Sequence, residues 1–204
     1  MAFLNRKEKK RIATAVEAAE NKTRGEFVTV IAQAADDYTA PSIMLAALLA
    51  LILPGPFLLM DIVDPHWLYV AQLICFMALS LLFLLTPLRY HLVPRSIKHR
   101  RARRLAREQF MAQGVNRTKE RAGLLLFVSV AEHYVEVLAD AGINAKVDKT
   151  AWQDIVDDFI HHVKTDQVAD GFVTAVERCT DILAEHFPGQ KHDQNELPDR
   201  LVEI

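Results

Sequence analysis

The sequence predicts an α/β fold, a small sheet flanked by helices, interrupted by a two-helix transmembrane hairpin. Three observations predict it. Two long apolar runs, Ser42–Met60 and Trp67–Leu88, stand six residues apart in mid-chain. Short β-branched or aromatic runs lie on both sides of them, at Phe27–Ala32, Gly123–Val130 and Tyr134–Ala139. Helical periodicity fills most of the remainder. Each strand run is too apolar to stand alone in water, so the three are expected to share one sheet, with the hairpin inserted into a single domain.

In chain order, Asn5-Arg6-Lys7-Glu8 has the spacing of a capping box, and Ile12, Val16 and Ala19 follow at three to four residues, predicting a helix to about Thr23. Gly25 ends it. Phe27–Ala32 lacks polar alternation, which suits a strand covered on both faces. Residues 1–40 are therefore the first part of the domain.

Residues 41–88 form the hairpin. A bilayer core about 30 Å thick needs roughly 20 apolar residues in a helix. Neither run carries a charge in its interior, and Ile43–Leu53 and Leu73–Leu85 are apolar all round apart from Ser80, unlike a core helix with one wet face. Pro54-Gly55-Pro56 predicts a kink or an early end to the regular part of the first span. The connector Asp61–His66 is short enough to force an immediate return, and Trp67 and Tyr69 open the second span where amphipathic rings favour the headgroup level.

Residues 89–188 form the second part of the domain. Ser96–Gln113 reads as a basic helix with Ala102, Leu105, Ala106, Gln109 and Phe110 along one face. Gly123–Val130 and Tyr134–Ala139 are separated by only about four residues and should pair as an antiparallel hairpin. Thr150-Ala151-Trp152-Gln153 has capping-box spacing ahead of Trp152, Ile155, Val156, Phe159 and Val163, and a last helix runs from about Asp166 to Phe187 before Pro188-Gly189. Residues 189–204 are a polar tail with Leu197, Leu201, Val202 and Ile204 available to dock.

The formal net charge is −2, but its distribution is uneven. Basic residues flank both spans, Arg6 to Arg24 before them and Arg89 to Arg107 after them, whereas the connector carries Asp61 and Asp64 and no Lys or Arg. The positive-inside rule then predicts a multi-pass inner-membrane protein with both termini cytoplasmic. The first apolar run begins some forty residues in, so no removable signal peptide is expected. The two cysteines, Cys75 in a span and Cys179 on an apolar helix face, make no disulfide or CxxC framework.

The order of these motifs resembles a known family. Thr23-Arg24-Gly25-Glu26 leads into Phe27–Ile31; Arg121-Ala122-Gly123 leads into Leu124–Val128; Asp140-Ala141-Gly142-Ile143 follows Val135–Ala139; and Val168-Ala169-Asp170-Gly171-Phe172 comes late. Together they resemble the TPM domain family, known in thylakoid proteins of photosystem II repair, in an animal receptor accessory protein and in bacterial membrane proteins. The likeness is to the bacterial subgroup in which a membrane hairpin interrupts the domain. It implies an accessory or scaffold role, with weak acid phosphatase activity and divalent-cation binding associated with some members. It supplies no nucleophile motif to carry over.

Catalysis would have to draw on carboxylates and histidines, since GxSxG, P-loop and HExxH motifs are lacking. Whether the chain is an enzyme is left open; a weak membrane-anchored acid phosphatase is the alternative to the scaffold. Asp36 and Asp37 close the first strand and Asp140 the third, and carboxylates gathered at strand ends suit a hard cation such as Ca²⁺ or Mg²⁺. The plainer reading makes Asp36-Asp37 a solvated strand exit and Asp140 the start of a turn. Asp157 with His161 and Asp158 with His162 have i,i+4 spacing, yet two pairs pointing in different directions read as surface pairs rather than a metal site.

Arg95, Lys98, Arg100, Arg101, Arg103, Arg104 and Arg107 form a basic surface expected to meet anionic headgroups. The same run has a second possible target in the chain's own acidic part, where Glu132–Glu203 carries sixteen acids against six Lys or Arg. Partners are thus the bilayer, with a protein partner or self-association in the membrane; nucleic acid is not expected, because interleaved aromatics are missing.

Overall fold

The computed structural model describes residues 4–60, 64–86, 88–189, 196–198 and 200–204. Half of the expected acidic turn, at 61–63, and tail residues 190–195 lie outside the described residues. The elements in chain order are α1 (Arg6–Glu20), β1 (Glu26–Ala32), α2 (Thr39–Ile52), α3 (Pro54–Met60), α4 (Pro65–Leu85), α5 (Leu88–Leu92), α6 (Arg95–Ala112), β2 (Gly123–Ser129), β3 (Tyr134–Ala139), α7 (Ala141–Asn144), α8 (Gln153–Lys164), α9 (Val168–His186) and β4 (Val202–Glu203). They divide into two compact units, one of Met1–Ala35 with His99–Ile204 and one of Asp36–Lys98, wider than the 41–88 expected for the hairpin.

The first unit is built on a four-stranded mixed sheet in the order β3-β2-β1-β4. β1 and β2 run parallel with Val30 opposite Phe127, and β2 and β3 run antiparallel with Leu124 opposite Ala139 and Ser129 opposite Tyr134. The β2–β3 pairing follows from their short link, whereas parallel β1 and β2 require the long connection that the intervening segment supplies. Side chains alternate between the two faces. Phe27, Ile31, Leu124, Leu126, Val128 and Val135 pack with apolar residues of α1, α8 and α9. Val28, Val30, Ala32, Leu125, Phe127 and Tyr134 pack with Ala102 and Ala106 of α6 and with Val115. Both central strands are fully buried, as their lack of polar alternation predicted. Each large apolar side chain so buried contributes about 1.5–3 kcal/mol.

Local chemistry explains the element ends. The Asn5 side chain accepts the Lys7 and Glu8 amides at 2.9 Å, and Glu8 accepts the Asn5 amide at 2.7 Å, completing the expected capping box. Gly123 opens β2 where a Cβ would stand 2.2 Å from the Val115 carbonyl oxygen, so this approach admits only glycine. The capping box expected at Thr150 is not formed. Asp148 caps instead, accepting the Thr150 amide at 2.8 Å and its hydroxyl at 2.7 Å, and a 3-10 turn over Lys149–Trp152 precedes α8. The stronger acceptor lies two residues upstream and captures the turn.

The tail also departs from expectation, because its last residues join the sheet. Val202 lies parallel to Val30, the Ile204 amide donates to the Ile31 carbonyl at 3.0 Å, and the Gln33 amide donates to the Ile204 carbonyl at 3.1 Å. Glu26, buried at the other end of β1, accepts the Glu196 and Leu197 amides at 3.1 Å each. The unpaired edge of β1 is what recruits this segment.

In the second unit, α2 packs along α4 through the small residues Ser42, Ala46 and Ala50. The regular helix breaks after Ile52 and resumes at Pro54, as Pro54-Gly55-Pro56 predicted. Two stretches, Thr39–Phe57 and His66–Leu85, are long and apolar enough to cross a membrane, and only 17% and 11% of them are buried. A core helix would have its apolar side chains covered; here Leu51, Trp67, Leu73, Ile74, Met77 and Leu85 are exposed.

Candidate functional site

Each of the three carboxylates expected to converge makes local contacts. Asp36 accepts the Tyr38 amide at 3.1 Å, and Asp37 accepts the Thr39 amide at 3.2 Å and its hydroxyl at 3.1 Å, all at the entry to α2. Asp140 is buried at the N-cap of α7, where it accepts the Ala141 amide at 2.7 Å and a forked contact from Arg121, Nε to Oδ2 at 3.0 Å and Nη2 to Oδ1 at 3.3 Å. The Asp140 amide donates to the Gly123 carbonyl at the start of β2, whereas β1 ends opposite Ser129, a seven-residue strand or about 20 Å away. Among the described residues no group of three or more His, Cys, Asp or Glu side chains could hold a metal ion.

At the end of the sheet where β1 stops, a residue not singled out in the sequence takes the central place. Glu132 is buried in the β2–β3 turn, accepts the Ala35 amide at 3.1 Å through both oxygens, and accepts the Ser129 hydroxyl. It ties the exit of β1 to the turn. An acid after an apolar strand looks like an ordinary turn residue, and nothing in the sequence marks it as buried.

A further polar constellation lies on β3. Tyr134 and Glu136 alternate with Val135 and so share the sheet face covered by α6. The Tyr134 hydroxyl donates to Glu136 at 2.9 Å and accepts from Arg103 Nε at 3.3 Å, and Arg103 lies 3.8 Å from the Glu136 carboxylate. Burial pushes the Tyr134 phenol up to about 12, with the Arg103 hydrogen bond acting against it. Burial likewise raises Glu136, opposed by the Tyr134 hydrogen bond and by the charges of Arg103 and Arg107. These groups border a groove of about 480 Å³ along β3, with His99, Arg103 and Arg107 of α6 on one side and Trp152, Val156 and Ile160 on the other.

The basic run therefore divides. Ala102 and Ala106 face the sheet, Arg103 reaches β3, and Arg104 pairs with Glu108 at 2.7 Å along the helix. Arg95, Arg100, Arg101 and Arg107 are exposed and Lys98 is half-buried, distributed around a helix rather than gathered on one face. The acid–histidine pairs of α8 form no site: His162 Nδ1 lies 3.0 Å from the Asp158 carbonyl oxygen, Asp157 accepts Gln153 Nε2 at 3.0 Å, and Asp158 lies 3.7 Å from Arg178. Cys179 is a core residue whose thiol burial pushes up to about 12, far from the thiolate character a nucleophile needs.

Comparison with known families finds a TPM domain at residues 86–182, so β2, β3, α8 and most of α9 lie within the match while α1 and β1 lie before it. Comparison with curated proteins gives no match. Among solved structures, the chain is similar to the NMR structure of BA42 protein from the psychrophilic bacterium Bizionia argentinensis, with a TM-score of 0.63 and 19% identity over 99% of this chain and 96% of that one. At that identity the likeness concerns the fold.

Proposed function

We propose that a chain carrying a TPM domain at 86–182 is a two-span inner-membrane protein in which that domain faces the cytoplasm and works as an accessory or scaffold module. The observation that carries this reading is the pair of apolar helices whose large side chains lie uncovered, within a chain whose other unit has two well-packed cores. Apolar surface of that extent needs lipid or another protein against it. The basic flanks Arg6–Arg24 and Arg95–Arg107 orient both termini inward and suit contact with anionic headgroups, each charge near the surface contributing about 1 kcal/mol.

Reporter fusions test the topology. A cytoplasm-active reporter should work at the N-terminus, Gln113 and Ile204, and a periplasm-active one at Asp64; periplasmic activity at Ile204 overturns the orientation. Hydrolysis of a generic phosphomonoester by the purified full chain, dependent on Mg²⁺ or Ca²⁺ and lost on chelation, would replace the scaffold role with a phosphatase.

A further inference from the structure

β3 is the edge of the sheet on its open side, and its ladder to β2 fixes which backbone groups point outward. The Asp140 amide donates inward to Gly123, so in an antiparallel ladder the inward positions are 134, 136 and 138, and Val135, Val137 and Ala139 turn their amides away from β2. The Ala139 carbonyl is already taken by Asn144 Nδ2. That leaves the amides of Val135, Val137 and Ala139 and the carbonyls of Val135 and Val137 along the floor of the groove, with no strand beside them among the described residues.

The walls differ in chemistry. On the sheet face of Tyr134 and Glu136, α6 overhangs the edge with His99, Arg103 and Arg107, a stripe at i, i+4 and i+8. On the face of Val135 and Val137, the wall is Trp152, from the 3-10 turn before α8, with Val156 and Ile160 of α8. A strand laid along β3 would send alternate side chains to these two walls.

We propose that β3 and its flanking helices form a docking groove for an extended acidic peptide of a partner protein, one in which acidic and apolar residues alternate. Backbone hydrogen bonds to Val135, Val137 and Ala139 hold it as an added strand, its acids face Arg103 and Arg107, and its apolar residues lie on Val156 and Ile160. Glu136 offsets one of the two arginine charges and leaves the wall net positive. This names the partner class for the scaffold reading and rests on it, although the groove belongs to the first unit alone.

The test uses the full chain in phosphatidylcholine nanodiscs and a fluorescent peptide of about seven alternating Glu and Val residues, the length of an ordinary strand. Anisotropy should show saturable binding that is about tenfold weaker for the matching Lys-Val peptide and for the Arg107→Glu variant. Hydrogen exchange of Val135 and Val137 amides should slow on binding, and Val137→Pro, which removes one outward amide, should weaken it as well. Absence of saturable binding overturns the proposal, as does equal affinity for the Lys-Val peptide. Binding without protection of the β3 amides, or binding abolished by phosphatidylglycerol in the disc, also overturns it, the first because the peptide lies elsewhere and the second because the stripe serves lipid. Phosphomonoester turnover by the same preparation would sink the scaffold reading while leaving the peptide result readable, so the two failures are distinguishable.

Discussion

Gly171 of α9 lies so close to the Phe159 ring of α8 that a Cβ on it would stand 2.4 Å from Cδ2 and 2.5 Å from Cε2. Helix propensity alone would make Gly171→Ala stabilising by about 1 kcal/mol. The ring has nowhere to go, because Phe159 is buried and meets Phe172 edge-on at 4.9 Å between centroids. Overpacking of this kind costs about 1–3 kcal/mol and should win. Thermal unfolding of Gly171→Ala should show a net loss; a higher Tm would mean that α8 and α9 separate freely.

What the sequence disclosed, and what it hid, divides along the range of the interactions. The Asn5 cap, the β2–β3 hairpin and the break at Pro54 are local and were legible from spacing. The direction of β1 against β2 was not, because periodicity reports which face a side chain takes and says nothing of which strand lies alongside. That unknown is what left open whether Asp140 meets Asp36 and Asp37, and the pairing places Asp140 at the start of β2 and the exit of β1 at its end. β4 was missed because two residues carry no period. Of the groove, the shared face of Tyr134 and Glu136 follows from their i,i+2 spacing, while the turn of Arg103 toward them depends on how α6 crosses the sheet.

Asp140 should matter as a structural cap. Its carboxylate accepts the Ala141 amide and two Arg121 contacts. Loss of an N-cap costs about 0.5–2 kcal/mol, and the largely exposed Arg121 adds little to that. Asp140→Ala should therefore lower stability by about 1–2 kcal/mol, and by the same amount in chelator and in Ca²⁺. A loss seen only with Ca²⁺ present would make Asp140 a cation ligand after all.

Thr29 lies in the middle of β1, fully buried, and its hydroxyl has no hydrogen-bond partner among the described residues. An unsatisfied buried hydroxyl costs about 1–3 kcal/mol, and valine has the same shape and a better strand propensity. Thr29→Val should stabilise the protein by about 1 kcal/mol in denaturant unfolding. A loss instead would reveal an unseen partner for the hydroxyl.

Glu136 gives a pH-dependent prediction whose sign can be worked out. Burial raises its pKa, so the fold binds the proton more tightly than the unfolded chain does. The associated stability is fully present below the ordinary carboxylate range and is lost as pH rises through the folded value, above which the half-buried carboxylate is ionised. Glu136→Gln resembles the protonated form and keeps an acceptor for the Tyr134 hydroxyl, while the ion pair it removes is 3.8 Å long and involves an exposed Arg103. The variant should thus melt higher than the parent at pH 7, with the difference closing as the pH falls into the carboxylate range. Tyr134 supplies an independent readout. Its pKa of about 12 is raised in part by the Glu136 charge, so phenolate absorbance in Glu136→Gln should appear at lower pH than in the parent. The same variant removes a negative charge from the basic wall and should bind the Glu-Val peptide more tightly. A variant that melts lower at pH 7 would show that Glu136 is stabilised by its partners more than burial penalises it, and an unchanged Tyr134 titration would show that the Glu136 charge does not act on the phenol.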